Sequence, residues 1–223
     1  MSVEELAELR EFRDGHDAVE IGAALTLTEI EQRWLGAPPI VREWLPLFAS
    51  PLIRNRATLG GNLATASPIG DAAPMLLALD AEVRIASRAG LRTVPLHEFV
   101  RSYRQTALGP GELLHSVRIP RPFPAYARFF KVAKRSLDDI STVAAGIAFD
   151  GKNLRIAFGG VAPIPLRAFE AERAPDIEGA KDRLRRTLQP LGDHRGSAAY
   201  RLAIAQSLLE KFWHEYRTAQ VAA

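Results

Sequence analysis

The stretch Arg56-Ala57-Thr58-Leu59-Gly60-Gly61-Asn62-Leu63-Ala64-Thr65-Ala66, followed at once by Ser67-Pro68-Ile69-Gly70-Asp71, constrains this chain more than any other. A residue without Cβ takes backbone conformations closed to others and lets a second group come close to the main chain. Consecutive N–H groups pointing inward form an anion nest, which suits a pyrophosphate. Thr58, Asn62 and Thr65 can add side-chain hydrogen bonds. The local alternative is a Gly-Gly turn followed by a Ser-Pro turn. The adjacent glycines do not match G-x-G-x-x-G, and no Gly-Lys-Ser/Thr closes a P-loop.

Composition removes several function classes. Cysteine is absent, so the chain forms no disulfide, ligates no iron–sulfur cluster and offers no thiolate nucleophile. His16, His97, His115, His194 and His214 are scattered without zinc-ligand spacing. The net charge of +3 is too small to select nucleic acid as a partner. Lys181, Arg183, Arg185 and Arg186 read as a solvated helix face, since no aromatic residues are interleaved with them. No apolar run reaches the length of a membrane span. Met1-Ser2-Val3-Glu4-Glu5 lacks the pattern of a secretory signal, so the expected location is cytoplasmic.

Along the chain, residues 3–12 begin helical and turn strand-like. Ala18 to Ala23 alternates as a strand, Thr26 or Thr28 caps a helix, and Val41 to Phe48 is helical. Asp71 stands at an N-cap position, and Pro74 falls in the first turn of an apolar helix. Strands are expected at Glu82–Ser87, Arg92–Val94, Leu113–Pro120, Arg128–Ala133 and Thr142–Phe149. Asp150-Gly151-Lys152-Asn153 is a hairpin turn into Leu154–Phe158. Helices are expected over residues 166–173 and Ile177–Leu188. A last helix, capped by Ser197, puts Leu202, Ala205, Leu209 and Phe212 on one face. The chain therefore reads as α+β in two parts. Residues 1–120 mix helices and strands around the glycines, and residues 126–217 form a three- or four-stranded antiparallel sheet followed by two or three helices.

Seven ordered motifs carry a resemblance. T-L-G-G-N, A-S-P-I-G-D, S-Y-R-Q-T-A-L-G-P-G-E-L-L with I-P-R-P, F-F-K, D-D-I, F-G-G-V and D-H-R-G-S-A-A-Y-R together resemble the FAD-binding domain of molybdenum hydroxylases. These are the xanthine dehydrogenases and, more distantly, the flavoprotein subunit of carbon monoxide dehydrogenase. The motifs span about residue 9 to residue 215, and Ser102-Tyr103-Arg104-Gln105-Thr106 leans toward the xanthine dehydrogenase side. The resemblance implies an α+β fold: the second subdomain of a two-subdomain FAD-binding fold (1–120), then the flavoprotein C-terminal domain (126–217). It implies that Thr58, Leu59, Gly60, Gly61 and Asn62 hold the FAD pyrophosphate and neighbouring parts. Phe48 is expected at the adenine end, Asp71 beside the isoalloxazine ring, and Leu114 and Lys131 against the cofactor. Core packing for Phe48 and Leu114, and solvent exposure for Lys131, are the alternatives that the residues alone leave open.

The family's fold also carries an earlier βαβ subdomain with its own Gly-rich loop, of the form A-G-G-x-x or G-N-T-E, and these residues contain no such loop. The expectation is that this half of the cradle comes from elsewhere, including from a separate chain. With no cysteine present, the molybdenum cofactor and the 2Fe-2S clusters are expected on partner chains: a molybdenum-binding large subunit and an iron–sulfur subunit or domain. NAD is the expected acceptor, with oxygen as the other. The second reading is a truncated assembly fragment that binds partners but no FAD by itself.

Overall fold

The computed structural model describes residues 5–221. A 3-10 turn at Ala7–Arg10 leads into β1 (Phe12–Asp14) and β2 (Ala18–Gly22). Then come α1 (Leu27–Arg33), α2 (Pro39–Leu47), α3 (Pro51–Arg54), α4 (Leu59–Ala64) and α5 (Ala72–Ala78). β3 (Glu82–Ser87), β4 (Gly90–Pro95), α6 (Leu96–Phe99), the small hairpin β5 (Val100–Ser102) and β6 (Gln105–Thr106), and β7 (Leu113–Pro120) follow. The remainder is β8 (Tyr126–Val132), β9 (Val143–Phe149), β10 (Leu154–Gly159), β11 (Leu166–Arg167), α7 (Phe169–Glu172), α8 (Ile177–Thr187) and α9 (Ala198–Val221).

Two antiparallel sheets organise these elements. The first has the order β1-β2-β7-β3-β4, so β7 closes the sheet by inserting between β2 and β3. Alternation decides its faces. Val19, Ile21, Val83, Ile85, Val117 and Ile119 are all buried on one side, while Glu20, Arg84 and Ser116 share the other, where Arg84 pairs with Glu20 at 2.7 Å. The second sheet is the meander β8-β9-β10-β11.

The second sheet is covered on both faces, and β9 shows how. Ala144, Gly146 and Ala148 turn toward α5 and the core of the first sheet, whereas Val143, Ala145 and Ile147 join Phe130, Ile156 and Phe158 under α8 and α9. Every residue of α5 is buried. A Cβ placed on Gly146 would lie 2.2 Å from the Pro74 carbonyl oxygen, so glycine there is what allows α5 to lie on the strand. The small residues on that face bring the helix close, and the large ones on the other fill the space beneath two further helices.

Most expected elements are present. Thr26 caps α1 in a reciprocal capping box with Glu29, while Thr28 instead donates to Asn55. Ser197 accepts from the Tyr200 N–H at 3.2 Å and caps α9. Two expectations need correction. Leu166–Arg167 is an edge strand and not the start of a helix; α7 begins at Phe169. Asp71 holds the N-cap position of α5 but makes no capping bond, because its carboxylate is engaged elsewhere. No helix among the described residues is long and apolar enough to cross a membrane.

Gly146→Ala is expected to lower unfolding free energy by about 1–3 kcal/mol, since backbone atoms of α5 block the added carbon. Gly36→Ala, where the added carbon meets nothing within 4 Å, should stay within about 0.5 kcal/mol of wild type. Urea midpoints of the two variants check the contrast.

Candidate functional site

The glycine-rich stretch is a helix and not an open loop. Leu59 to Ala64 form α4, and Thr58 caps it by accepting the Gly61 N–H at 3.0 Å. The neighbouring N–H groups are also taken. Gly60 donates to the Ala23 carbonyl at 3.1 Å, Asn62 to the Thr58 carbonyl at 3.0 Å, and Leu59 makes a longer bond of 3.4 Å to Leu25. The expected anion nest is therefore corrected: the four N–H groups are spent inside the protein. The glycines serve close approach instead. A Cβ on Gly60 would lie 2.5 Å from the Ala23 Cβ, and one on Gly61 would lie 2.8 Å from the Thr58 hydroxyl. Leu59 turns into the core and is buried.

Two clefts flank α4. Phe48, Asn62, Asp71 and Lys131 line the first, of about 210 Å³, together with Asp139 and Ile140. Thr58, Gly60, Gly61 and Leu114 line the second, of about 370 Å³, with Ala23 and Glu112 beside them. Thus eight of the nine residues singled out from the sequence border a cleft, and Leu59 borders neither.

The first cleft is built around a buried ion pair. Lys131 reaches from β8 and places Nζ 2.7 Å from Asp71 Oδ2; the two side chains are only 6% and 9% exposed. Lys131 also donates to the Leu47 carbonyl at 2.9 Å, so its ammonium is not in solvent. Ser141 donates to the other Asp71 oxygen, Oδ1, at 2.5 Å. Both carboxylate oxygens are thus held, as a buried charge requires. Asn62 differs: its Oδ1 is buried and accepts no hydrogen bond. A buried acceptor without a donor is costly, and this one borders a cleft where a ligand can supply the donor. Phe48 is half-buried, with its ring edge-on to Trp44 at 5.7 Å between centroids.

The loop that carries Asp71 is fastened from the second sheet. The Gly160 N–H donates to the Pro68 carbonyl at 2.7 Å. Gly160 has φ +84°, and a Cβ there would lie 2.3 Å from the Thr142 carbonyl oxygen. Buried Arg201 of α9 donates to that Thr142 carbonyl and, at 3.1 Å, to the Gly160 carbonyl, and it pairs with Asp193 at 2.6 Å. The F-G-G-V and D-H-R-G-S-A-A-Y-R motifs therefore hold the A-S-P-I-G-D loop in place.

In the second cleft, Glu112 is clamped by both arms of Arg92, at 2.7 and 2.6 Å, and accepts the Gly109 N–H at 2.7 Å. The Arg92 guanidinium is the main reason its carboxyl drops from the usual range to about 2, with the Gly109 N–H second. Leu114 is positioned by a feature that no sequence pattern signals. The pairing of β3 with β7 slips between Arg84 and Ile85, so Leu114 lies opposite Ile85 and shares its face. Without that bulge, the alternation from Val117 would send Leu114 to the other side. Ser141 was also missed, because a serine between Ile140 and Thr142 carries no periodic or capping signal. Among the described residues there is no group of three or more acidic or histidine side chains placed to hold a metal ion.

A family model described as the FAD binding domain in molybdopterin dehydrogenase matches residues 1–122. The chain belongs to that family. A second model, the CO dehydrogenase flavoprotein C-terminal domain, matches residues 128–216. The molybdopterin dehydrogenase relatives include xanthine dehydrogenase of Emericella nidulans, 33% identical over 95% of this chain but only 18% of that protein. The carbon monoxide dehydrogenase medium chain of Afipia carboxidovorans is 32% identical over 93% of this chain and 80% of its own length. Among solved structures, carbon monoxide dehydrogenase from Hydrogenophaga pseudoflava superimposes with a TM-score of 0.85 at 28% identity, covering 94% of this chain and 78% of that one. This chain thus spans less than a fifth of the full-length xanthine dehydrogenase that it matches, and the resemblance read from the motifs is confirmed at the level of the family.

Lys131→Met is expected to cost about 3–5 kcal/mol, because it leaves the Asp71 charge buried without its cation. Asp71→Asn in the same chain should recover part of that loss, as urea unfolding will show. Glu112 has a folded pKa below its unfolded value of 4.5, so its contribution is fully present above that value. It is lost as pH falls from about 4.5 toward about 2. NMR titration of the Glu112 carboxyl should give a midpoint near 2, and a midpoint near 4.5 would show that the Arg92 clamp is not formed.

Proposed function

We propose that this chain is the FAD-bearing component of a xanthine-dehydrogenase-like molybdenum hydroxylase, and that the two clefts beside α4 receive the cofactor. The observation that carries this reading is the first cleft. An unpartnered Asn62 acceptor, a half-buried Phe48 ring and a fixed Asp71–Lys131 pair meet in one concavity. These groups fit one flat, hydrogen-bonding ring system, so in this reading Phe48 and Asp71, which the resemblance puts at the adenine and isoalloxazine ends, border the same end of the cofactor. FAD when bound supplies the exchange of electrons between iron–sulfur clusters and NAD⁺ or oxygen. The chain's own residues do the rest. Asn62 accepts a donor from the bound group, Phe48 and Leu114 offer apolar surface, and Asp71 sets the negative field beside the ring. Lys131 uses two of its three donors on Asp71 and Leu47 and keeps one. The molybdenum centre and the 2Fe-2S clusters belong to partner chains in this reading, consistent with the absence of cysteine. The S-Y-R-Q-T segment favours the xanthine dehydrogenase type.

A second reading has its own support. The N–H groups of Leu59 to Asn62 are already bonded, so this segment by itself has no free nest for a pyrophosphate. On that reading the chain takes up FAD only with a partner that supplies the remaining phosphate contacts, or serves assembly alone.

Titration of the purified chain with FAD, followed by flavin fluorescence and visible absorbance, separates the readings. The first expects saturable quenching, with Asn62→Ala weakening binding about three- to tenfold for one lost hydrogen bond. A colourless protein that becomes yellow only with an iron–sulfur or upstream partner favours the second. In the assembled complex, Asp71→Ala should alter NAD⁺ reduction while leaving flavin content largely unchanged.

A further inference from the structure

We infer that Ser141 is a positioning residue for the Asp71 carboxylate, fixing the charge that the first cleft presents to its ligand. The inference rests on the cofactor reading above. Ser141 is 1% exposed, and its hydroxyl donates to Asp71 Oδ1 at 2.5 Å from a site 70 residues away in the chain. That bond is its one side-chain hydrogen bond among the described residues, so the hydroxyl is not needed to hold its own segment.

The segment is held by other groups. Thr142, the next residue, donates its N–H to the Val132 carbonyl at 2.7 Å and its hydroxyl to the Arg195 carbonyl at 3.2 Å. Its own carbonyl receives Arg201. On the other side, the Ile140 N–H is taken by Asp139 at 2.8 Å. Ser141 is therefore delivered to Asp71 by a backbone that α9 and β8 have already fixed. The carboxylate has one donor on each oxygen, Lys131 on Oδ2 and Ser141 on Oδ1. Each oxygen keeps a further lone pair. The two donors at opposite ends define the plane and tilt of the group, which Lys131 alone would leave free to turn about one contact.

A hydroxyl donating to a carboxylate also draws charge from it. Without Ser141, Oδ1 carries more negative charge toward the cleft, and a nearby negative charge opposes adding an electron to a redox group. Ser141→Ala should therefore shift the bound flavin's reduction potential to more negative values, with flavin content retained. Ser141→Thr, which keeps a hydroxyl, should stay at the wild-type potential. The deciding comparison is Ser141→Ala made in an Asp71→Asn background, where no carboxylate remains to be tuned and the shift should vanish. If Thr proves too large for the buried site, this double variant decides alone.

The potentials are measured by dye-linked reductive titration of the flavin-loaded protein, in its complex where the complex is what carries flavin. A wild-type potential in Ser141→Ala overturns the proposal, and so does a shift that persists with Asp71→Asn. Wild-type protein that takes up no flavin, alone or in complex, overturns the functional reading and this inference with it.

Discussion

The rest of the structure depends on a carboxylate that is almost entirely buried. Asp71 stands at the head of α5, inside the part that carries the first sheet. Both of its partners, Lys131 and Ser141, come from the part that carries the second. A buried charge left unpaired costs several kcal/mol, so the Asp71 arrangement is tolerable only when the second sheet is seated against α5. Gly146 makes that seating sterically feasible, and Gly160 and Arg201 hold the loop before Asp71 from the same side. The ion pair and the sheet–helix packing are therefore conditions of one another.

Much of this was legible in the chain, and for physical reasons. Alternation of Val19/Ile21, Val83/Ile85 and Val117/Ile119 marks the buried face of the first sheet. The Asp150-Gly151-Lys152-Asn153 turn leads from β9 into β10 as expected, with Asp150 accepting the N–H groups of Lys152 and Asn153. What failed was local chemistry overridden by distant partners. Asp71 has the look of a helix cap, yet a lysine 60 residues away claims it. Lys131 alternates with its neighbours Phe130 and Val132 as an outward strand residue would, yet its outward side is the inside of a cleft. Neither fact can be seen from periodicity, because the facing surface is made by another part of the chain.

The glycine pair teaches a narrower lesson. Adjacent glycines are ambiguous between a backbone that offers its N–H groups and one that needs to pack tightly. Here the second holds: Gly60 touches Ala23, and its N–H is spent there. The motif still marks the site, because α4 is the wall between the two clefts. Its contribution is placement, with Asn62 on one side and Gly60 and Gly61 on the other, and the polar work falls to side chains further along.

The two-sided burial of β9 has a consequence for how the chain can be divided. Its Ala144–Gly146–Ala148 face is apolar and small, and it is covered by α5 and joined to the core of the first sheet. Severing the polypeptide in the Arg121–Ala125 connector would strip that face bare on one product and leave a fully apolar helix uncovered on the other. Although separate family models describe residues 1–122 and 128–216, the two stretches share one buried interface at α5 and β9, and cutting between them exposes apolar surface on both sides.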